Sequence, residues 1–141
     1  SDVCSSDLFL NFINENTGNR HLPRINQQIK QIPGTEVYYV RMESLTPINR
    51  SQLYSLYQPE GLFLAWLARD YGIRPSASSR QQLDKYLENH SAKDIKPLES
   101  WRDICYKLIH FAQDHGISVL DNSAENFMLR NHTLIITDPF V

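Results

Sequence analysis

Three polar side chains in the last third of the sequence have the types and spacing needed to handle a metal-bound phosphate. Asp121 follows a short apolar segment, Asn126 comes five positions later, and Asp138 closes a second apolar run, 134–137. A carboxylate beside a hydroxyl can orient it and accept its proton as the oxygen attacks. A carboxamide oxygen and a second carboxylate are ligands of the kind that Mg²⁺ prefers. The pattern therefore predicts Asp121 as a base and Asn126 and Asp138 as Mg²⁺ ligands.

Each of these residues also has an ordinary structural explanation. Asp and Asn five positions apart are common turn formers or helix caps, and an Asp often ends a strand. The pair by itself favours that structural interpretation. The order of the surrounding elements along the chain is what favours a catalytic interpretation.

The elements next to these residues are predicted from apolar spacing. An apolar stripe indicates a helix over 97–116, with Pro97 suited to its first turn and Gly116 to its end. Two apolar segments, 127–129 and 133–137, indicate strands joined by a turn. Asp121 would then lie between a long helix and a β-hairpin, and Asp138 just after that hairpin.

The upstream part of the chain predicts a mixture of short strands and helices. Residues 9–15 show a helical pattern, and strands over 25–29 and 37–40 are separated by a Pro-Gly turn, which favours an antiparallel pair. Helical spacing resumes from Arg50, and Pro and Ser make 73–79 a predicted loop. A short, mostly exposed helix is predicted next, over 79–90. The fold class expected from this pattern is α+β.

Composition and charge exclude some classes of partner. A chain of 141 residues suffices for one core, and 41% hydrophobic with 21% charged residues is typical of globular proteins. A net charge of −2 with scattered basic residues gives no electrostatic footprint for nucleic acid. The longest apolar run, 61–68, is too short to span a membrane. We therefore expect neither a nucleic-acid partner nor a membrane.

The first eight residues have a different character from the rest. Residues 1–8 match one reading frame of a common sequencing adapter, so we interpret them as an adapter-derived scar outside the fold. The natural protein would then begin upstream, and the chain would be a fragment of it. Of the two cysteines, Cys4 lies in this segment, which leaves Cys105 alone on an apolar helix face and suits a reducing, cytoplasmic location. The histidines show no spacing typical of a zinc site.

Several stretches, in the right order, resemble the protein-kinase-like superfamily, in the style of short bacterial and bacteriophage kinases. Residues 37–45 are similar to the strand that runs into the kinase hinge, and Gly116-Ile117 precedes Asp121 as in the family's catalytic loop. Residues 125–128, Glu-Asn-Phe-Met, resemble the end of that loop. Residues 137–140 stand where the family has Asp-Phe-Gly.

The resemblance implies a binding site for ATP. Met42 would take the gatekeeper place, and the backbones of Glu43 and Leu45 would meet the adenine edge. Met128 would form an apolar floor under the adenine, and Thr137 would complete the nucleotide-binding set. Together with Mg²⁺, these residues would serve the transfer of the γ-phosphate to a hydroxyl.

The resemblance also implies a division of the chain and an acceptor. Residues 9–42 would be the remnant of a kinase-like N-lobe, and 43–141 the hinge and a partial C-lobe with the catalytic loop. A protein hydroxyl is the expected acceptor. The Gly-rich phosphate loop and the strand Lys of the family have no counterpart here, so the fragment is expected to be inactive.

Some positions depart from the family pattern and keep alternatives open. Val119-Leu120 replaces His-Arg, Ser123 stands where many protein kinases place Lys, and Pro139-Phe140 replaces Phe-Gly. These departures favour a pseudokinase-like interaction module as one alternative. Another is a small-molecule phosphotransferase of the antibiotic-kinase type, with the same core and a different acceptor pocket.

Overall fold

The computed structural model describes residues 2–25, 30–31, 33–35, 38–39 and 43–140. Its α-helices are Asp2–Glu15 (α1), Arg50–Leu56 (α2), Gln58–Asp70 (α3), Ala77–Asn89 (α4) and Glu99–Asp114 (α5). Its strands are Lys30–Gln31 (β1), Tyr38–Tyr39 (β2), Thr46–Pro47 (β3), Arg74–Pro75 (β4), Val119–Leu120 (β5), Phe127–Arg130 (β6) and Thr133–Ile136 (β7). Short 3₁₀ turns lie at Ala92–Ile95 and Ala124–Asn126. The predicted α+β class is confirmed at this level.

The core is built around α5, whose apolar stripe was predicted. Its inward face is fully buried and comprises Trp101, Ile104, Cys105, Leu108, Ile109 and Ala112. This face packs on α3, and the Trp101 Nε1 donates a hydrogen bond of 2.9 Å to the carbonyl of Glu60 in the first turn of α3. The helix begins at Glu99 rather than at Pro97, because Leu98 has an extended ψ of 147° and is the N-cap. Within the described residues, no helix is both long enough and apolar enough to cross the bilayer.

Three small sheets complete the described fold. The first is the antiparallel pair β1–β2, with Lys30 opposite Tyr39. An antiparallel pair was predicted here, but β1 lies just after the predicted strand 25–29. Gly34 in its turn has a φ of 77°, which favours glycine. Residues 26–29, 37 and 40 of the two predicted strands lie outside the described residues. The helix predicted over 9–15 is confirmed and begins earlier, at Asp2.

The other two sheets surround the predicted site. β3, β6 and β7 form an antiparallel sheet in which β6 is central, so the predicted hairpin at 127–137 is confirmed. β4 and β5 pair in parallel, with Arg74 opposite Val119. The prediction of a loop over 73–79 is therefore wrong in part, since this stretch contains β4 and the start of α4. The pairing partner of β4 is remote in sequence, and local composition carries no sign of it.

Candidate functional site

Backbone pairing brings Asp121 next to the loop that carries Asp138. Asp121 directly follows β5, and its N–H donates to the carbonyl of Pro139 over 2.7 Å. One residue earlier, Leu120 forms an antiparallel bridge with Phe140. Both Leu120 and Phe140 are buried in the core, so apolar packing holds the two segments together. Asp121 and Asp138 are thus carried by adjacent, well-anchored backbone.

Asn126 is connected to both segments. Its Nδ2 donates to the carbonyl of Asp121 over 3.2 Å, and its own carbonyl accepts the N–H of Thr137 over 2.8 Å. Because the amide nitrogen is used as a donor, the carboxamide oxygen is the atom that can accept a hydrogen bond or bind a metal. Asn126 is thus hydrogen-bonded to the backbone of Asp121 and to the backbone of Thr137, the residue before Asp138.

Ser123 fixes the carboxylate of Asp121. The Oδ1 atom accepts hydrogen bonds from the Ser123 N–H at 3.2 Å and from its Oγ at 2.8 Å. This two-residue arrangement is typical of an Asp side chain that stabilises a turn. With Oδ1 held in this way, Oδ2 is the oxygen that can meet a substrate. The serine therefore orients the carboxylate, whereas a lysine at this position would have supplied a positive charge.

Asp138 has an unusual backbone conformation. Its φ is 38°, in the left-handed region that non-glycine residues adopt at a cost of about 1 kcal/mol or more. Asp tolerates this region better than most residues. The flanking bonds impose it, because the N–H of Thr137 is held by Asn126 and the carbonyl of Pro139 by Asp121. The backbone of Asp138 is thereby held on both sides by bonds to Asn126 and Asp121.

The donor set can be compared with the requirements of a metal ion. Two carboxylates and a carboxamide oxygen are hard ligands, and they suit Mg²⁺, which usually retains waters or substrate phosphates in its remaining positions. Among the described residues there is no cluster of three or more His, Cys, Asp and Glu side chains that could enclose a metal. The residues present therefore fit an ion shared with a ligand better than a structural metal.

Met128, one of the predicted nucleotide-binding residues, lies on the neighbouring sheet formed by β3, β6 and β7. β3 places Pro47 opposite Met128 and Thr46 opposite Leu129, so Leu45 directly precedes a strand that borders the site. Met128 is half-buried and lies opposite the fully buried Ile135. Met128 is thus part of an apolar sheet face two residues after Asn126. Met42 lies outside the described residues.

Glu43 has a role that the sequence did not indicate. Its N–H donates to the carbonyl of Arg24 over 3.0 Å, which leaves its carbonyl as the backbone group able to meet a nucleotide. Its side chain forms an ion pair with Arg130 at the end of β6. The hydrogen bond from Arg130 lowers the pKa of Glu43 below its usual value, as does the N–H of Arg24. The segment before β3 is therefore fixed to the β6–β7 hairpin.

Arg130 joins this segment to the chain after α1. Besides Glu43, its guanidinium donates to the carbonyls of Arg20 and Leu22, each at 2.9 Å. Next to them, the buried His21 contacts the Leu134 carbonyl through Nδ1 at 2.9 Å. No motif or residue spacing predicted the structural roles of Arg130 and His21, because their partners include backbone groups remote in sequence.

Comparisons with protein-family models, with curated proteins and with solved structures found no match to this chain. The site is therefore defined by its own geometry. That geometry joins Asp121, Asn126 and the backbone around Asp138 through direct hydrogen bonds, with Met128 and Leu45 on the adjoining sheet.

Proposed function

We propose that the chain is part of an ATP-dependent phosphotransferase with a kinase-like fold. Asp121 is the base, and Asn126 and Asp138 are the Mg²⁺ ligands. The observation that carries the proposal is the hydrogen-bond network around Asp121, which links it to Asn126 and to the backbone on both sides of Asp138. These residues belong to a loop and a strand end, where catalytic groups are commonly held by a rigid scaffold.

The chemistry follows from the positions of the oxygens. Asp121, with Oδ1 held by Ser123, directs Oδ2 at the acceptor hydroxyl and takes its proton. The acceptor oxygen forms a bond to the γ-phosphorus while the bond from that phosphorus to the bridging oxygen breaks, and ADP leaves. When bound, Mg²⁺ neutralises charge on the phosphates. Asn126 and Asp138 serve to hold the phosphates in register with Asp121.

The adenine is proposed to lie against the β3–β6 side of the site. Met128 supplies an apolar surface, and the Glu43 carbonyl and the Leu45 backbone supply polar groups for the adenine edge. Thr137, hydrogen-bonded to Asn126, borders the phosphates. A protein hydroxyl is the proposed acceptor, and the cytoplasm is the proposed location, since the buried Cys105 thiol suits a reducing compartment.

A pseudokinase-like binding module is the second candidate, and Ser123 favours it. Ser123 carries no positive charge that could neutralise a phosphate, and its hydroxyl donates a hydrogen bond to Asp121. Such a protein would bind a nucleotide or a partner protein without transferring phosphate. Binding and transfer must therefore be measured separately.

Nucleotide binding is tested by thermal unfolding of the 141-residue chain with and without Mg-ATP. A ligand at ten times its Kd stabilises the native state by about 1.4 kcal/mol, which should raise Tm by roughly 4 °C for a chain of this size. Asp138→Asn, which preserves the shape and the tolerance of positive φ, should lose the Mg²⁺-dependent part of this shift. Asp114→Asn, an exposed carboxylate at the end of α5, is the matched control.

The outcomes separate the candidates. A Tm shift that needs both Mg²⁺ and Asp138 supports the metal site, whereas an equal shift in Asp138→Asn removes that assignment. No shift with Mg-ATP at millimolar concentration removes the nucleotide site. In a longer version of the protein, phosphate transfer that Asp121→Asn abolishes supports the enzyme, and binding with no transfer supports the pseudokinase-like module.

A further inference from the structure

A cavity with a basic lining lies beside the Asp121 loop. Its volume is about 240 Å³, and its lining comprises Arg69, Arg74, Pro75, Ser76, Arg80 and Val119. The arginines come from the end of α3, from β4 and from the first turn of α4, so separate elements converge on one space. No carboxylate is among these lining residues. The cavity thus combines guanidinium groups, a hydroxyl and an apolar floor.

The strand pairing places the cavity next to the proposed base. β4 and β5 are parallel, so both strands run towards the Asp121 loop, with Pro75 opposite Leu120. The Oγ of Ser76, the next residue, donates to the Oδ1 of Asn122 over 3.1 Å. Val119 precedes Asp121 by two strand residues, which corresponds to about 7 Å. A ligand in the cavity would therefore lie within a short reach of Asp121.

The charges in the cavity are only partly balanced. Arg69 forms an ion pair with Asp84 of α4. Within the described part of the chain, neither Arg74 nor Arg80 forms an ion pair, and both residues are exposed. Arginine pairs readily with carboxylate and phosphate through its planar fork of donors. A scattered arginine is an ordinary surface residue, but two unpaired ones at a single cavity beside a candidate base indicate an anionic ligand.

We propose that this cavity binds an oxyanion, a carboxylate or a phosphate, carried by the acceptor peptide near its phosphorylated hydroxyl. Arg74 and Arg80 would hold that group while the hydroxyl faces Asp121. An extended peptide spans about 3.3–3.6 Å per residue, so the anionic residue would lie roughly two or three positions from the hydroxyl. The role as an acceptor site rests on the proposed phosphotransferase function, whereas the binding of acidic peptides does not.

The test is fluorescence anisotropy of labelled peptides on the 141-residue chain. The first peptide carries a serine with Asp or Glu two and three positions away, the second has phosphoserine there, and the third has Gln. The acidic and phosphorylated peptides should bind at least fivefold more tightly than the Gln peptide. Arg74→Ala with Arg80→Ala should remove most of this preference, since each exposed pair contributes a factor of roughly two to five. Added salt should weaken it too.

Matched variants define what supports and what overturns the assignment. Arg102→Ala, an exposed arginine of α5 outside the cavity, should leave the preference unchanged, and Arg74→Lys should retain part of it. Equal binding of all three peptides, or an equal loss with Arg102→Ala, overturns the assignment. If inorganic phosphate binds as tightly as the phosphoserine peptide and depends on the same arginines, the cavity is a general anion site and the peptide assignment fails.

The nucleotide measurement distinguishes this inference from the proposed function. The Arg74→Ala, Arg80→Ala double variant should keep its Tm shift with Mg-ATP, because neither arginine is among the residues proposed to bind the nucleotide or Mg²⁺. Arginine-dependent peptide binding in a chain that shows no nucleotide shift would uphold the anion site and remove the kinase. A Tm shift with Mg-ATP without any preference for acidic peptides would support the nucleotide site and overturn the anion site.

Discussion

Replacing Arg130 by alanine tests whether the β6–β7 hairpin is fixed to the segment before β3. The guanidinium of Arg130 donates to the carboxylate of Glu43 and to the carbonyls of Arg20 and Leu22. The side chains of Arg130 and Glu43 are each only 17% exposed. Truncation would leave a mostly buried carboxylate and two carbonyls without these donors.

The size of the effect follows from this burial. Removing one partner of a well-buried pair costs about 3–5 kcal/mol, and a hydrogen bond to a charged group contributes about 1.5–3 kcal/mol. Since water can reach part of this pair and the Arg24 N–H still serves Glu43, we expect a loss of about 2–4 kcal/mol in the free energy of unfolding. For a chain of this size, Tm should fall by roughly 10 °C.

Urea unfolding at several pH values is the assay. Arg130 holds the pKa of Glu43 below its ordinary value of 4.5. The stabilisation from the pair is therefore fully present above pH 4.5 and is lost as the pH falls through the lower, folded-state pKa. The difference between wild type and Arg130→Ala should be constant near neutral pH and shrink in acid. Glu43→Gln, combined with Arg130→Ala in a double-mutant cycle, should show a coupling above about 1 kcal/mol.

A second ion pair provides the control. Lys107 and Asp103 are one turn apart on α5, with side chains 52% and 61% exposed. Lys107→Ala should cost no more than about 0.5 kcal/mol. The reasoning would be refuted if Arg130→Ala cost as little as this control, or if the cycle gave no coupling at neutral pH.

Two further predictions concern buried groups away from Arg130. Burial raises the pKa of the Cys105 thiol well above its usual value, so in a Cys4→Ser variant a thiol reagent at pH 8 should label the protein only at the rate of unfolding. Prompt labelling of this native variant would contradict the burial of Cys105 in α5. Burial lowers the pKa of His21 below 6.5, so stability should be greatest above pH 6.5 and should fall as the pH drops towards the folded-state value. In His21→Gln, the urea midpoint of unfolding should vary less with pH over this range. If the midpoint of this variant varies with pH as much as that of the wild type, other groups cause the pH dependence.

The helices and the hairpin could be predicted because their signals are local. The stripe from Trp101 to Ala112 repeats with the helical period, and these side chains are buried. The β6–β7 hairpin is also local, with apolar segments on either side of a short turn. Asn131 in that turn has a φ of 57°, a conformation that Asn adopts more readily than most residues.

The remaining elements and site contacts could not be predicted from the sequence, because they depend on contacts between segments that are remote in sequence. Arg74 and Pro75 lie in a stretch rich in Ser and Pro, and only the parallel pairing with β5 makes them a strand. For the site, the link between Asp121 and Asn126 was within reach of sequence reasoning, since a five-residue loop can fold back on itself. The fold was needed to find two other contacts, the link from Asp121 to Pro139 and the pairing of Glu43 with Arg130. Neither could be predicted from the sequence, because charged and polar residues show no periodicity that identifies their partners.

The hairpin register connects the site to the rest of the molecule. Asn126 and Thr137 continue the ladder in which Phe127 faces Ile136, so the distance between Asn126 and Asp138 depends on this register. A slip of one residue would exchange the sheet faces, and it would place Met128 in the core instead of Phe127. Arg130 ends the same strand at its pair with Glu43, and it resists such a slip from the opposite end. Because one short strand carries both contacts, a change that loosens Arg130 should also disturb the groups proposed to hold Mg²⁺.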